Sequence, residues 1–238
     1  MKKLIAYITT SYPNKEFSVD VINTLKEAGT DGIELGIPFS DPVADGEIIQ
    51  KANKKALENG FEIEDIFEVS KNTYIDTYWM GYFNNFYKKG YDFMVQKAKE
   101  LSIKGFIIPD LPYEEAISYN DKFPLISFIA PTDNKERIKK ILQNPKEFIY
   151  LVAYTGITGA EKNENLEGII NNIREVTSTP IYMGFGVNEK TAKEKSKNVD
   201  GVIVGSRFIK ILLNDDSYTS KLKEIYEVAK IIKEEINS

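Results

Sequence analysis

The sequence predicts an α/β fold, a (β/α)8 barrel formed as a single domain over residues 1–238. Eight short apolar runs recur along the chain, and helical segments separate them. Most runs are apolar nearly throughout, as expected of parallel strands that are covered on both faces. Eight complete strand–helix units in a chain of this length are typical of the TIM barrel.

The predicted strands follow the apolar runs in chain order. An open doubly wound sheet is the rival arrangement. The barrel is favoured because no strand is left over and no GxGxxG motif follows the first strand. The eight runs are LIAYITT (4–10), GIELG (32–36), IDTYWMG (75–81), GFIIPD (105–110), PLISFIA (124–130), FIYLVAY (148–154), PIYMGFG (180–186) and DGVIVGS (200–206).

The segments between the runs have apolar residues at helical spacing. The first helix ends at Gly29, a common C-terminal stop, and the second is split at Gly60 into residues 47–59 and 62–72. The last helix covers residues 218–236. The apolar faces comprise Phe17, Val21, Ile22 and Leu25; Phe93, Val95, Ala98 and Leu101; Ile138, Ile141 and Leu142; Leu166, Ile169, Ile170 and Ile173; and Leu222, Ile225, Val228, Ile231 and Ile232.

Composition excludes several classes of protein. A net charge of −5 argues against a nucleic acid as the partner. The chain has no cysteine and no histidine, so thiol catalysis, Ser-His triads and most zinc sites are excluded. Proton transfer therefore falls to Asp, Glu, Tyr or Lys. The N-terminal segment is too short and too polar for a signal peptide, and no run is long enough to span a membrane, so we expect a cytoplasmic protein.

The stretch ELGIPFSDPVADG places a carboxylate at the end of the second predicted strand. Reactive groups of such barrels lie at the carboxyl ends of the strands. Glu34 closes an apolar run there, and burial raises the pKa of a carboxyl group. Glu34 is therefore a candidate general acid–base group. The alternative is a structural Glu34 that is held by a backbone amide or a lysine.

The loop after Glu34 carries two more carboxylates. Pro38 and Pro42 stiffen this loop, which brings Asp41 and Asp45 back towards the barrel mouth. The structural alternatives are a turn at Asp41 and a helix N-cap at Asp45. The prolines separate the three carboxylates and no calcium-loop spacing occurs, so we predict no metal site.

The opposite side of the predicted barrel has glycine-bearing loops after strands six, seven and eight, and a short helix over residues 206–213 follows strand eight. Such loops and helix N-termini commonly hold phosphate, because glycines let backbone N–H groups approach the anion. Each glycine alone is also explained by a turn. Arg207 adjoins these loops but is not counted. The predicted phosphate-binding residues are Gly159, Gly184, Phe185, Gly186, Gly205 and Ser206.

Taken together, these motifs resemble the α subunit of tryptophan synthase across essentially the whole chain. The matching stretches occur in the family's order and spacing, and the first of them is highly specific. They are ELGIPFSDPVADG followed by IIQ and Asn53, MGYFN (80–84), PDLPYEE (109–115), YLVAYTGITGA (150–160), GFGV (184–187) and GS (205–206).

The resemblance implies a lyase that splits indole-3-glycerol phosphate into indole and glyceraldehyde 3-phosphate. By this analogy, Glu34 moves the proton between the glycerol hydroxyl and indole C3. Asp45 holds the indole N–H and stabilises the positive charge that develops on the ring nitrogen. The chain needs no cofactor of its own for this retro-aldol cleavage. The substrate-binding positions implied are Tyr7, Ile49, Met80, Tyr150 and Thr158.

The resemblance also implies a partner. The β subunit of the family uses pyridoxal phosphate and receives indole through a tunnel, normally in an α2β2 assembly. Asp41 matches a loop residue that communicates with this subunit. The sequence departs from the family's pattern at Ser11, where glycine is usual, at Glu47, where proline is usual, and at Tyr154, where some relatives carry a basic residue.

Three other functions remain open from the sequence. A free-standing lyase that releases indole has the same catalytic residues and lacks the partner. A non-catalytic barrel that activates a partner enzyme is disfavoured, because a pure binder has no need of costly carboxyl groups beside a pocket. A phosphosugar isomerase or epimerase shares the phosphate loops, but it normally uses a different acid–base or metal set, often with histidine.

Overall fold

A computed structural model describes residues 1–152 and 166–238. Within these residues, eight parallel strands form one sheet in the order β4-β3-β2-β1-β8-β7-β6-β5. The strands follow the predicted apolar runs. They are β1 (Lys3–Thr9), β2 (Gly32–Gly36), β3 (Asp76–Met80), β4 (Gly105–Ile107), β5 (Ser127–Ile129), β6 (Ile149–Val152), β7 (Ile181–Gly184) and β8 (Gly201–Val204).

The two ends of this sheet meet between β4 and β5, which closes the barrel. The Phe106 amide donates to the Pro124 carbonyl at 2.9 Å, and the Ile126 amide donates to the Phe106 carbonyl at 3.0 Å. These bonds form a parallel bridge between Phe106 and Leu125. Every strand therefore pairs with its neighbours in chain order, which confirms the predicted (β/α)8 barrel and excludes the open sheet.

Helices alternate with the strands and cover the outside of the barrel. The predicted split of the second helix at Gly60 is confirmed, as are the short helix after β8 and the long last helix. No helix in residues 1–152 or 166–238 is long and apolar enough to cross a bilayer. The helices are α1 (Lys15–Glu27), α2 (Glu47–Glu58), α3 (Glu64–Lys71), α4 (Phe83–Lys89), α5 (Tyr91–Glu100), α6 (Tyr113–Asn120), α7 (Lys135–Ile141), α8 (Leu166–Arg174), α9 (Ala192–Lys195), α10 (Ser206–Leu213) and α11 (Tyr218–Glu235).

The buried face of α5 differs in part from the prediction. Phe93 is 39% exposed, and its ring contacts Phe67 edge-on at 6.1 Å and lies beneath the ammonium groups of Lys89 and Lys97. Cation–π contacts of this kind stabilise an aromatic ring that is only half covered. The residues that α5 buries are Tyr91, Met94, Val95 and Ala98.

Large side chains fill the barrel interior towards its amino-terminal end. The Tyr78 ring meets the Phe148 ring edge-on at 5.2 Å, and Phe148 stacks on Tyr182 at 4.6 Å. Ile5 packs in the same buried cluster. These side chains fill the lower part of the barrel and leave a cavity at the carboxyl ends of the strands.

Ser11 explains one departure from the related family. It follows β1 in the left-handed conformation, with φ of 60°, a region that favours glycine. The buried Ser11 hydroxyl donates to Asp65 Oδ2 at 2.9 Å, and the other oxygen of Asp65 lies 3.1 Å from Lys15 Nζ. The hydrogen bond to a carboxylate offsets the backbone strain, so serine is accommodated where glycine is the simpler choice.

Replacing Ser11 with Ala should destabilise the protein by about 2 kcal/mol, because the bond to the carboxylate is lost and the left-handed strain remains. Replacing Ser11 with Gly loses the same bond but relieves the strain. We therefore expect the order of stability Ser11, then Gly, then Ala in urea unfolding monitored by circular dichroism. An alanine variant as stable as the wild type would show that the hydrogen bond to Asp65 does not offset the strain of this turn.

Candidate active site

A cavity of about 480 Å³ opens at the carboxyl ends of the strands. Its size suits a small organic ligand. Thr158 and Gly159 lie outside the described residues, and neither Asp41 nor Gly184 lines the cavity. The residues named from the sequence that do line it are Tyr7, Glu34, Asp45, Ile49, Met80, Tyr150, Phe185, Gly186, Gly205 and Ser206.

Glu34 points from β2 into this cavity. In the strand register it lies between Tyr7 of β1 and Tyr78 of β3. The residue is 2% exposed, and its buried Oε1 has no hydrogen-bond partner within the part of the chain that the structure describes. The backbone amide or lysine of the structural alternative is not found there. A buried carboxyl group without a partner favours the protonated form.

The electrostatics of Glu34 follow from this burial. Burial raises the pKa of the Glu34 carboxyl to about 8, and the nearby Asp45 carboxylate adds to the rise because a second negative charge is disfavoured. Near neutral pH, Glu34 is therefore mainly protonated. Because its pKa lies within about one unit of neutral pH, the carboxyl group can release a proton and take one back.

Asp45 reaches the cavity from the loop between β2 and α2. The N-cap of α2 is Gly46, so Asp45 does not have the capping role that was its structural alternative. Burial raises the pKa of Asp45 to about 6, while hydrogen bonds from the Tyr82 hydroxyl and the Asn53 amide oppose that rise. Asn53 Nδ2 lies 3.4 Å from Asp45 Oδ2. Asp45 is thus mainly ionised at neutral pH beside a protonated Glu34.

Tyr82 and Asn53 were not singled out as site residues from the sequence. The Tyr82 hydroxyl also accepts a hydrogen bond from the Ala44 amide at 3.0 Å, which fixes the loop that carries Asp45. Asn53 is 1% exposed on the inner face of α2. The signal for Asn53 was its place in the first of the matching stretches, and the structure adds that its amide is buried on a helix face of small apolar residues.

Asp41 lies at the surface rather than in the cavity. Its side chain accepts a hydrogen bond from the Ser40 hydroxyl at 2.7 Å, and its carbonyl accepts from the Val43 amide at 2.8 Å. These contacts form the turn that was the structural alternative for Asp41. No cluster of three or more possible metal-ligating side chains occurs in the described residues.

Two tyrosine rings at the cavity wall lie over glycines of the neighbouring strand. A Cβ atom at Gly36 would lie 2.4 Å from the Tyr7 hydroxyl, and one at Gly184 would lie 2.3 Å from Tyr150 Cε1. Real side chains do not approach so closely. Glycine is therefore required at position 184 because the Tyr150 ring occupies the space that a side chain would need. Phe128, which was not named from the sequence, stacks on the other side of Tyr150 at 4.8 Å.

The glycine loops after β7 and β8 line the same cavity as the two carboxyl groups. Phe185 and Gly186 both have left-handed backbone conformations, with φ of 71° and 69°. Gly205 and Ser206 lie at the N-terminal end of α10. The Arg207 guanidinium contacts Glu189 at 2.9 Å and Glu224 at 3.0 Å. Arg207, which was not counted from the sequence, also lines the cavity, and its guanidinium is engaged with these two carboxylates.

The fold and the cavity define a class of protein. A closed barrel that holds a buried and a partly buried carboxyl group with separated pKa values at its carboxyl end is a TIM-barrel enzyme suited to acid–base catalysis.

Comparisons with known proteins give the family within this class. The family model described as tryptophan synthase alpha chain matches residues 1–237, and this chain belongs to that family. A tryptophan synthase alpha chain from Wolinella succinogenes is 50% identical, with 100% of this chain and 97% of the relative covered. A solved structure of tryptophan synthase subunit alpha from Campylobacter jejuni is 36% identical, with a TM-score of 0.85 and 95% of each chain covered.

A more distant structure has the same fold. Tryptophan synthase from Mycobacterium tuberculosis gives a TM-score of 0.89 at 27% identity, covering 100% of this chain and 93% of that one.

Alpha chains of this family are lyases that cleave indole-3-glycerol phosphate in tryptophan biosynthesis, so the reaction implied by the resemblance is confirmed. In this family the alpha chain needs no cofactor of its own, and pyridoxal phosphate belongs to the β subunit with which it works.

Replacing Glu34 with Gln should stabilise the protein, increasingly so at higher pH. The pKa of Glu34 is about 8 in the folded protein against a usual 4.5, so between these values the folded wild type keeps a proton that the unfolded chain has lost. Its free energy of unfolding then falls as pH rises through this interval, by at most about 1.4 kcal/mol per pH unit. A glutamine side chain does not titrate, so the stability of the variant lacks this dependence on pH. Urea unfolding at about pH 5, 7 and 9 measures the widening gap.

The control is Glu47→Gln, which changes an exposed carboxylate at the start of α2. Any pH dependence that this variant shares with Glu34→Gln belongs to the loss of a carboxylate in general and not to the buried position of Glu34. A constant difference between wild type and Glu34→Gln across the same pH range would show that Glu34 is ionised in the folded protein and would contradict the raised pKa.

Proposed function

We propose that Glu34 and Asp45 carry the cleavage of indole-3-glycerol phosphate in this chain. The observation that carries the proposal is the pairing of two carboxyl groups in one aromatic cavity. One is protonated and has a buried Oε1 without a partner among the described residues, and the other is ionised. The reaction needs one group that gives and then takes a proton, and one that stays negative. These two residues fit those two tasks without any histidine.

Glu34 acts as the proton shuttle. Its carboxylic acid gives a proton to indole C3, which makes the bond from C3 to the glycerol chain ready to break. The resulting carboxylate takes the proton of the glycerol hydroxyl next to that bond. The carbon–carbon bond then breaks, the aldehyde of glyceraldehyde 3-phosphate forms, and Glu34 is again protonated. A pKa of about 8 suits a group that must do both near neutral pH.

Asp45 acts on the indole nitrogen. When C3 is protonated, positive charge develops on this nitrogen, and a carboxylate that accepts its N–H stabilises the charge. Asp45 must be ionised to do so, which its pKa of about 6 allows at neutral pH. Tyr82 and Asn53 orient the carboxylate, and by opposing the effect of burial they favour its charged form.

The rest of the cavity divides between the two ends of the substrate. Tyr7, Ile49, Met80 and Tyr150 form the walls that we assign to the indole ring, and Phe128 extends them through its stack on Tyr150. The pKa of Tyr150 lies well above its usual value because the phenol is buried, so the ring presents a neutral hydroxyl. The sequence assigns Thr158 to the same end, but it lies outside the described residues.

The phosphate end is assigned to the opposite loops. The backbone at Phe185, Gly186, Gly205 and Ser206 lines the cavity, and the N-terminus of α10 supplies partial positive charge. Gly159 is assigned there from the sequence alone.

We assign Asp41, which is exposed on the loop that carries Asp45, to communication with a β subunit in an α2β2 assembly. We expect the chain to act in the cytoplasm.

Replacing Glu34 with Gln, or Asp45 with Asn, should lower kcat for indole release by about 1000-fold, since each amide keeps the shape but removes the proton transfer or the charge. The measurement is indole formation from indole-3-glycerol phosphate by the purified chain, with and without a β subunit. Glu47→Gln is the matched control and should keep its activity. Full activity in the Glu34 variant would rule out the proposed role.

The pH dependence of kcat/KM should show a fall above about pH 8, because Glu34 then loses the proton that C3 must receive. A second fall is expected below about pH 6, as Asp45 becomes neutral. The two limits belong to the coupled pair of carboxyl groups. Rates measured across this range at saturating and limiting substrate check the prediction. Activity that keeps rising above pH 8 would show that an ionised Glu34 is the active form.

A further inference from the structure

The loop between β7 and α9 has an unusual backbone. Phe185 and Gly186 are consecutive left-handed residues, and Phe185 is not a glycine. Its side chain is 41% exposed, so burial of the ring gives limited compensation for the strain. A strained conformation next to a cavity persists only where surrounding groups hold it.

Two side chains hold this loop from behind. Lys195 Nζ donates to the Phe185 carbonyl at 2.9 Å, and the Thr191 hydroxyl donates to the Gly186 carbonyl at 2.9 Å. The Thr191 hydroxyl also accepts a hydrogen bond from the Asn188 amide at 3.1 Å. Lys195 Nζ lies 3.1 Å from the position that a Cβ atom of Gly186 would occupy, so the ammonium group packs directly against this glycine.

Holding the carbonyls in this way fixes the direction of the next amides. In a trans peptide the carbonyl and the following N–H point in opposite directions. The Gly186 and Val187 amides therefore point away from Lys195 and Thr191. Both residues line the cavity, whereas Lys195 and Thr191 do not. Neither amide donates to an acceptor within the described part of the chain, so both are free to bind an anion.

Lys195 also brings a positive charge to the loop. It makes no ion pair within 4.0 Å among the described residues, unlike Arg207, which contacts two carboxylates. Its side chain is partly buried, and this burial lowers the pKa of the ammonium group below its usual value. A partly buried charge is screened less by solvent than an exposed one. The electrostatic field of the ammonium group therefore reaches the cavity, because the backbone of Gly186, which has no side chain, lies between them.

We propose that Lys195, assisted by Thr191, is a positioning residue for the phosphate of the substrate. It holds the strained loop so that the Gly186 and Val187 amides bind phosphate oxygens, and its charge favours the anion from behind the backbone. The inference rests on the proposed phosphate site of this cavity. It adds to that site a side chain that touches neither the substrate nor the reacting atoms.

The test compares Lys195→Met with Lys195→Arg and with Lys193→Met. Lys193 is an exposed lysine on the same helix, and it makes no ion pair within the described chain. Lys195→Met should raise KM for indole-3-glycerol phosphate about tenfold with kcat within about twofold, as expected for losing one charge-assisted hydrogen bond. Lys193→Met should leave both constants unchanged, and Lys195→Arg should recover most of the affinity.

Binding measurements separate this inference from the proposed function. Calorimetry with inorganic phosphate and with indole needs no turnover. Lys195→Met should weaken phosphate binding about tenfold and leave indole binding unchanged. Equal loss of both ligands would assign Lys195 a general structural role and overturn the proposal, as would unchanged phosphate binding. Failure of the proposed function would instead appear as full activity in Glu34→Gln, whatever the phosphate affinity.

Thr191→Val serves as the second variant if Lys195→Met does not fold. It removes the hydroxyl that holds the Gly186 carbonyl and retains the lysine. We expect a smaller loss of phosphate affinity with indole binding intact. Phosphate affinity equal to that of the wild type in this variant would contradict the loop-holding role.

Discussion

The burial of the Glu34 carboxyl group, whose Oε1 has no hydrogen-bond partner in residues 1–152 and 166–238, is the constraint on which the site depends. A charged carboxylate in this place is unfavourable, so the folded protein keeps the proton on Glu34 near neutral pH. Asp45 reinforces this, because two negative charges close together are disfavoured. Asp45 can itself remain ionised because Tyr82 and Asn53 bind its carboxylate. One protonated and one ionised carboxyl group thus arise from two ordinary side chains.

The barrel supplies the surroundings that this pair requires. Tyr78, Phe148 and Tyr182 fill the amino-terminal end of the interior, which excludes water from below. The tyrosines at the wall are neutral and add no charge that would stabilise an ionised Glu34. The loops after β7 and β8 line the same cavity and present the Gly186 and Val187 amides, which have no acceptor in the described part of the chain. In the proposed binding mode these amides hold the substrate phosphate, while Asp45 faces the indole nitrogen.

The strands and the place of Glu34 at the barrel mouth were predictable from the sequence, because both follow from the local pattern of apolar residues. The apolar runs give the strands, and Glu34 stands out because it closes such a run. The contacts that sequence alone could not give come from distant segments. Asp45 meets Tyr82, Tyr150 meets Phe128, and no spacing rule joins either pair.

Two of the helices that were not predicted, α6 and α9, have physical reasons for escaping the sequence analysis. Helix α6 buries none of its residues, so it lacks the apolar stripe that identifies a helix. Helix α9 has only four residues, too few to show a periodicity. Phe93 was placed on a buried face by its helical spacing to Val95, Ala98 and Leu101. In the fold it is covered by lysine side chains instead, which the helical pattern of α5 does not reveal.

Each wall tyrosine packs directly against a glycine, so substitutions at the two positions are coupled and are tolerated only as a pair. Enlarging Gly36 or Gly184 alone forces the facing ring out, and shrinking Tyr7 or Tyr150 alone leaves a void. Lineages that change the shape of this cavity therefore have to exchange both members together, one small and one large. Engineering for bulkier indoles is best attempted with paired libraries, since scans of single positions would report these sites as immutable.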